Sequence, residues 1–252
     1  MSNLGTISVQ KNDKVATITF FHPSGNSFPS VLLQKLTDAI SQLSNDASVH
    51  CIVLQSTGKI FCSGASFDEL LAIQDFDMGK KFFSGFAQVI NAMRTCNKII
   101  IGKVQGKAVG GGVGLASACD YTIAHIDSSI KLSEIAIGIG PFVIEPAVSR
   151  KIGLAAMSTL TLNPNQWYTA SWAFEKGLFT KVFDTQEELD NYTDNFAQEF
   201  SNYNPEALTD IKRVLWENTS HWDKLLYERA ALSGKLVLSD FTKNALKQFK
   251  KQ

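Results

Sequence analysis

The most unusual stretch of the sequence is Gly106-Lys-Ala-Val-Gly110-Gly111-Gly112-Val-Gly114-Leu-Ala, which places five glycines in nine residues between a predicted strand and a predicted helix. Glycine loses more backbone entropy on folding than any other residue, so such a run indicates close backbone approach or unusual dihedral angles. Free N–H groups at a helix N-terminus also attract anions. The stretch therefore predicts either tight packing of a helix against a sheet or an anion-binding turn.

Strands alternate with helices on both sides of this glycine run. Residues 15–20 (VATITF) alternate as a half-buried strand and are predicted to pair with residues 7–10 across a turn at Asn12-Asp13. Apolar residues at helical spacing mark two helices, at Leu32, Leu36, Ile40 and Leu43 and at Phe82, Phe86, Ile90 and Met93. Short buried strands follow at residues 51–55, 99–104 and 121–124. This order predicts βαβ units and a largely parallel sheet, an α/β fold.

The pattern changes near residue 185, after which only helices are predicted. Apolar residues recur at helical spacing through this region, and no Pro-, Gly- or Ser-rich linker precedes it. We therefore expect a core domain over residues 1–190 and a helical C-terminal region over residues 191–252. The helices would pack on the core or on a neighbouring subunit.

Composition excludes several classes of protein. The chain has 252 residues, of which 44% are hydrophobic and 19% charged, so it is neither disordered nor of low complexity. Its 24 Lys and Arg balance 24 Asp and Glu, which favours neither nucleic acid nor an anionic membrane as a partner. The four cysteines form no C-x-x-C pair, which predicts free thiols and no metal site. Without a signal pattern at the start or a long apolar run, we expect a soluble cytoplasmic protein.

A second candidate stretch is Ile60-Phe-Cys-Ser-Gly64-Ala65-Ser-Phe-Asp-Glu-Leu, directly after the strand at residues 51–55. Small residues ahead of a predicted helix again leave a backbone N–H free. No G-x-S-x-G elbow is present to make Ser63 or Ser66 a nucleophile. Alone, the stretch is typical of an ordinary strand-to-helix turn.

Dinucleotide binding is an alternative interpretation of the glycine run. Gly112-x-Gly114-x-x-Ser117, with Glu134 further along, mimics the fingerprint of nicotinamide-nucleotide sites. The match is weak, because the third small position is a serine and the motif lies in the middle of the chain.

Together the two stretches resemble the crotonase family, the enoyl-CoA hydratase/isomerase superfamily. The family's oxyanion-hole motif is similar to Phe61-Cys-Ser-Gly64-Ala65, and its G-x-x-x-G-G-G-x-x-L-x-x-x-C-D motif is similar to Gly106 through Asp120. Residues 130–141 resemble the family's segment with a catalytic glutamate, and residues 170–182 resemble a later A-x-x-A-x-x-x-G-L-V segment. The similarity runs in order over about residues 5 to 250.

The resemblance implies a crotonase-like spiral of ββα turns with a helical C-terminal trimerisation region, assembled as a homotrimer or hexamer. It implies an acyl-CoA or acyl-carrier thioester as the substrate, with coenzyme A as part of that substrate and no separate cofactor or metal. By matching position, the N–H groups of Ala65 and Gly111 would hold an oxyanion and Glu134 would be the catalytic acid/base. Ala65 and Gly64 would contact the coenzyme A part. Lys59, which lies just before the first motif, is a candidate contact for a coenzyme A phosphate.

Departures from the family pattern bear on the reaction. Family hydratases carry two glutamates that share a water molecule; the first falls on Gly114 here, and the second is retained as Glu134. The family's Gly-rich segment after the second glutamate is Pro141-Phe-Val-Ile-Glu145 here, so we expect Phe142 to crowd the position of that water. Ser66 replaces a usual acidic residue, which leaves the orientation of its loop open.

A single carboxylate can remove a proton from one carbon of an enolisable thioester and return it to another. The sequence therefore favours double-bond isomerisation, with acyl-thioester decarboxylation as an alternative that needs chiefly the oxyanion hole. Hydration stays open if Glu145 or Glu69 supplies the second proton. A non-catalytic acyl-CoA binding subunit is an alternative of another class.

Overall fold

The computed structural model describes residues 5–249. The chain opens with a hairpin of β1 (Thr6–Asn12) and β2 (Val15–Phe21), paired antiparallel from Thr6 opposite Phe21 to Asn12 opposite Val15. Asp13 takes a positive φ of 51° in the connecting turn, a conformation that aspartate tolerates better than most residues. The predicted hairpin is confirmed, with its turn one residue later than expected.

A six-stranded sheet forms the centre of the molecule, in the order β1-β2-β3-β5-β7-β10. Its remaining strands are β3 (Cys51–Ser56), β5 (Ile99–Val104), β7 (Tyr121–His125) and β10 (Lys181–Phe183). Every pairing after the hairpin is parallel. Parallel strands are usually buried on both faces, which explains the continuous apolar runs in β3 and β5. The predicted parallel sheet is confirmed.

Helices cover both faces of this sheet. The long helices α1 (Ser30–Ser44) and α3 (Phe76–Thr95) pack together over the face on which Ile52 and Ile100 point into the larger core. The opposite face, with Val53 and Ile101, packs in a second core against C-terminal helices. Alternate residues of each strand thus serve two cores.

A second, smaller sheet has the order β4-β6-β8-β9. Its strands are β4 (Ile60–Cys62), β6 (Lys107–Val109), β8 (Ser129–Lys131) and β9 (Tyr168–Thr169). The chain visits the large sheet and then the small sheet in each turn: β3 and β4, β5 and β6, β7 and β8. Helices follow the first two pairs, namely α2 (Phe67–Ala72) with α3, and α4 (Gly111–Ala118). This is the expected spiral of ββα turns.

The second half of the chain is mainly helical. It contains α5 (Glu145–Leu162), α6 (Ala170–Glu175), α7 (Gln186–Ser201), α8 (Pro205–Leu215), α9 (Trp222–Leu236) and α10 (Asp240–Phe249). Only helices follow β10 among the described residues. The boundary that we predicted at residue 190 falls inside α7, and residues 1–4 and 250–252 of the two expected regions lie outside the described part.

The C-terminal helices pack on the core of their own chain. On α8, the ammonium group of Lys212 lies 2.8 Å from a carboxylate oxygen of Asp120, and both side chains are almost fully buried. The indole N–H of Trp216 donates to the other oxygen of Asp120 at 2.6 Å. Helix α9 packs along α3, where a β-carbon on Gly79 would lie 2.8 Å from the carbonyl oxygen of Gly234. Two glycines therefore allow close contact between these helices.

All four cysteines are buried free thiols, as predicted. Burial raises the pKa of Cys51, Cys62 and Cys119 to about 12, so these thiols stay protonated and unreactive. None of the helices within residues 5–249 combines the length and the apolar character needed to cross a membrane.

Candidate active site

The two small-residue turns meet at the ends of β4 and β6. Gly64 has a positive φ of 87°, and a β-carbon there would lie 2.9 Å from the carbonyl oxygen of Val109 and 3.4 Å from the amide nitrogen of Gly111. Only glycine fits this close approach in this conformation. The structure therefore brings the Ala65 turn and the Gly111 turn side by side, as the paired motifs predict.

The N–H of Ala65 points away from its neighbour Phe28. Ala65 forms a parallel bridge with Phe28, in which the amide of Phe28 donates to the carbonyl of Gly64 and the amide of Ser66 donates to the carbonyl of Phe28. In such a bridge the N–H of the central residue points to the opposite side, which is here the side of Gly111. No turn, loop or cap hydrogen bond within residues 5–249 uses the N–H of Ala65.

Gly111 is the first residue of α4, where N–H groups have no intrahelical acceptor. Its predecessor Gly110 has φ 53° and ψ −118°, a backbone conformation that residues with a β-carbon avoid. The amide of Gly110 is held by the carbonyl of Lys131 at 2.9 Å, which fixes the turn against β8. No turn, loop or cap hydrogen bond of the described chain uses the N–H of Gly111.

Glu134 begins a single 3-10 turn, Glu134–Ile137, directly after β8. Its carboxyl group lies against the glycine turn, since a β-carbon on Gly110 would be 2.6 Å from Oε1 of Glu134. The oxygen Oε2 is buried and has no hydrogen-bond partner among the described residues. Burial raises the pKa of Glu134 to about 7, because the charged form loses its hydration. A carboxyl group with such a pKa can accept and release a proton near neutral pH.

These groups line one apolar pocket with about 600 Å³ of space that no atom occupies, part of it open to solvent. Ala65, Gly111 and Glu134 lie at its wall. Most other lining residues are apolar, among them Phe67, Leu70, Phe83, Phe86, Ile137, Phe142 and Ile144. Glu134 is the only charged residue that lines the pocket in the described part of the chain. The pocket thus fits a neutral, largely apolar group.

Ile144 fills the space beside Gly114. A β-carbon on Gly114 would lie 2.7 Å from Cβ of Ile144, so no longer side chain fits there without movement of Ile144. Ile144, and not Phe142, lies beside Gly114, whereas Phe142 packs on Gly140 and also lines the pocket. That Phe142 crowds the position of a water molecule stays a prediction. The residues that form this wall follow an irregular turn, whose side-chain directions no periodicity in the sequence could predict.

The other carboxylates considered as proton donors lie outside the pocket. Glu145 forms an ion pair with Arg229 of α9 and accepts a hydrogen bond from Ser149. Glu69 accepts from both the amide and the hydroxyl of Ser30, at 2.9 and 2.5 Å. Neither carboxylate lines the pocket.

Ser66 takes the place of the usual acidic residue as the N-cap of α2. Its hydroxyl accepts from the amide of Glu69 at 3.4 Å, and the residue is buried. Serine is among the preferred N-cap residues, so the turn keeps its cap.

Lys59 is exposed in the connection before β4 and does not line the pocket.

The dinucleotide interpretation is wrong, because its glycines are packed against their own chain. A β-carbon on Gly112 would lie 2.5 Å from the carbonyl oxygen of Cys62, Gly114 faces Ile144, and Ser117 is fully buried. No group of three His, Cys, Asp or Glu residues within the described range could hold a metal ion.

Comparison with known proteins identifies the family. A family model described as enoyl-CoA hydratase/isomerase matches residues 10–250. The chain belongs to the enoyl-CoA hydratase/isomerase family. It is therefore an enzyme of this family, part of the crotonase superfamily, and the resemblance drawn from the two motifs is confirmed.

Members of the family with different activities are similar to this chain. A probable enoyl-CoA hydratase of Bacillus subtilis is 25% identical over 248 residues, which cover 98% of this chain and 96% of that protein. A peroxisomal Delta(3,5)-Delta(2,4)-dienoyl-CoA isomerase of Arabidopsis thaliana is 29% identical over 192 residues, covering 70% of this chain and 68% of that protein. The crystal structure of an enoyl-CoA hydratase from Bacillus halodurans matches with a TM-score of 0.88 at 22% identity, covering 96% and 99% of the two chains, and confirms the fold.

Proposed function

We propose that this enzyme moves a double bond along the acyl chain of an acyl-CoA thioester, with Glu134 as its single acid/base. The observation that supports this most directly is the composition of the pocket wall. Among residues 5–249 one ionisable side chain lines it, and burial brings the pKa of that side chain to about 7. Isomerisation needs one group that takes a proton and gives it back. Hydration needs a second group to share the water.

The backbone N–H groups of Ala65 and Gly111 are proposed to hold the thioester oxygen. When a proton leaves the carbon next to the carbonyl, negative charge develops on that oxygen. Fixed N–H donors stabilise this charge without reorganising, and the loss of one such donor typically costs about 10²–10³ in turnover. Both residues line the same pocket as Glu134.

Glu134 alone can transfer the proton in both steps of the reaction. Its carboxylate takes a proton from the carbon between the thioester carbonyl and the double bond of a 3-enoyl group. The electron pair spreads over the dienolate, and the protonated Glu134 then donates to the far carbon. The product is the conjugated 2-enoyl thioester. No water is consumed.

The coenzyme A part of the substrate would leave the pocket past Gly64 and Ala65, with Lys59 near a phosphate. The exposed position of Lys59 leaves its ammonium group accessible to a phosphate in solvent. An acyl-carrier thioester would present the same reacting group. The apolar wall fits a neutral acyl chain in either case.

Hydration of 2-enoyl thioesters is the second candidate, because several similar proteins bear the name enoyl-CoA hydratase. Two observations argue against hydration. Ile144 fills the space beside Gly114, and the carboxylates of Glu145 and Glu69 are bonded to Arg229 and Ser30 outside the pocket. Decarboxylation is less favoured, because the substrate carboxylate would be buried near Glu134 in a pocket whose described wall offers no cation.

A homotrimer, or a hexamer of two trimers, remains our proposal for the assembly. Helix α5 exposes Leu154 and Leu162, with 73% and 77% of each residue accessible in the single chain. Large exposed apolar side chains that cluster on one helix are typical of subunit interfaces. Light scattering on the purified protein tests this assembly, and a monomeric mass would contradict it.

The reaction is tested by incubating the enzyme and Glu134→Gln with 2-enoyl, 3-enoyl and 3-carboxyacyl thioesters. We expect the wild type to convert the 3-enoyl substrate without a mass change, and Glu134→Gln to lose about 10²–10⁴-fold of this activity while it still binds acyl-CoA. Binding without turnover of any substrate would instead identify a non-catalytic subunit. Loss of carbon dioxide would identify a decarboxylase.

A further inference from the structure

The pocket has a polar residue at the end remote from Glu134, contributed by the C-terminal helix α9. Ser233 lines the pocket although only 1% of its surface is exposed, so the little surface it exposes faces the pocket. Its hydroxyl makes no hydrogen bond within the described chain. Buried hydroxyl groups are normally hydrogen-bonded, because an unpaired one loses its hydration without compensation.

Several other hydroxyl groups in the helices bond to their own backbone, and the buried hydroxyls of Ser117 and Thr161, which also lack a partner, do not line this pocket. The hydroxyl of Ser84 donates to the carbonyl of Lys80 at 2.7 Å, and that of Thr193 donates to the carbonyl of Leu189 at 2.6 Å. This bond to the carbonyl four residues earlier is the usual solution for Ser and Thr inside a helix. The Ser233 hydroxyl does not use it and stays available to a ligand.

The distance from the reacting end follows from α3, two residues of which line the pocket. Gly79, Phe83 and Phe86 lie on one face of α3, four and three residues apart. Phe86 contacts Gly111, and Gly79 contacts Gly234, the neighbour of Ser233. Seven residues of helix separate these contacts, a distance of about 10 Å. The aromatic rings of Phe83 and Phe86 line the pocket.

We propose that the far end of the pocket recognises an oxygen-bearing acyl chain through Ser233. The ligand class is an acyl thioester with a neutral hydroxyl or oxo group about 10 Å from the thioester carbonyl. A serine hydroxyl can donate to either group and accept from a hydroxyl. A carboxylate is not expected, because no cation lines the described wall. This inference rests on the proposed function, since it assumes that the acyl chain enters this pocket.

Binding of saturated acyl-CoA thioesters tests the inference separately from the reaction, because they carry no double bond to move. Calorimetry would compare an unsubstituted chain with chains of equal length whose hydroxyl group is moved one carbon at a time along the outer half. We expect one hydroxylated chain to bind about three- to tenfold more tightly than the plain chain, the gain of one neutral hydrogen bond. In Ser233→Ala this preference should disappear.

Ser84→Ala is the matched control, because it removes a hydroxyl from α3 that is already bonded to Lys80. It should keep the preference. Equal binding of all chains by the wild type, or a preference that survives in Ser233→Ala, would overturn the role of Ser233 and leave the proposed function intact. If no acyl-CoA bound at all, the proposed function itself would fail.

Discussion

Cβ of Ile144 lies 2.7 Å from the position that a β-carbon on Gly114 would take. The wall of the pocket is therefore closed at the position where related hydratases are expected to carry their first glutamate. Glu134 remains as the one carboxylate in the described wall, beside the turn of Gly110 and Gly111. The reaction we propose depends on this contact.

The pH dependence of turnover should follow Glu134. Because burial raises its pKa to about 7, the carboxylate that acts as the base is half formed near neutral pH. We expect kcat/KM for a 3-enoyl thioester to rise with pH and level off above about 8. A pH–rate profile between 5 and 9 measures this, and a profile already flat from pH 5 would contradict the raised pKa.

Thermal unfolding of Glu134→Gln gives an independent control on the same pKa. When the pKa of a carboxyl group is higher in the folded than in the unfolded protein, the group favours folding at pH values below its unfolded pKa. This contribution to stability is lost as the pH rises through the folded pKa. The variant, which carries no charge, should melt at about the wild-type temperature at pH 4 and several degrees higher at pH 8.5. Equal melting temperatures at both pH values would show that the charged form is not buried.

Because Gly114 contacts Ile144, a second glutamate at position 114 should support hydration only if Ile144 is made smaller. Gly114→Glu alone should unfold at a lower temperature, since its β-carbon meets Ile144. Gly114→Glu with Ile144→Gly makes room, and two carboxylates around one water can act as acid and base. We expect the double variant to gain hydration of a short 2-enoyl thioester.

Ile144→Gly alone is the control for this experiment, because it opens the wall without adding a carboxylate. It should show little gain in hydration. If wild type already hydrates the thioester faster than the double variant does, a single glutamate suffices for hydration and our preference for isomerisation is wrong.

Arg229 is expected to position the wall of the pocket from α9. Its guanidinium pairs with Glu145 and donates to the carbonyl of Phe142 at 3.4 Å, which ties the turn at residues 141–144 to the helix. Arg229→Met should loosen this turn and raise KM about three- to tenfold, with a smaller change in kcat. Steady-state kinetics measures both constants.

Lys224→Met provides the matched control on the same helix. Lys224 pairs with Glu228 at 3.4 Å on the exposed side of α9, so its loss removes an ion pair without touching the turn. Equal rises in KM for both variants would show that Arg229 acts on overall stability and not on the pocket.

Sequence patterns predicted the strands and helices whose apolar residues recur at regular spacing. The alternation in residues 15–20 and the helical spacing from Phe82 to Met93 each extend over enough residues to define a strand or helix. The strands of the small sheet are two or three residues long and carry no periodicity. They were therefore missed, although the three consecutive glycines at 110–112 and the Ala65 turn follow two of them.

The pocket residues divide in the same way. Ala65, Gly111 and Glu134 carry motif signals, and the structure brings all three to one wall. Ile144 and Ser233 had no such signal, because their positions depend on an irregular turn and on the contact between distant helices. Gly79 and Gly234, each within a helix, are the residues in the sequence that could have indicated the contact between these helices.

The most direct test of the single-glutamate account follows the fate of water. The enzyme is supplied with a 3-enoyl thioester in water labelled with ¹⁸O. The products are then separated, and their masses are measured by mass spectrometry. We predict the 2-enoyl thioester, unchanged in mass and without label, as the main product, and its loss in Glu134→Gln. A labelled hydroxyacyl thioester as the main product, formed as fast as the double bond moves, would contradict the account.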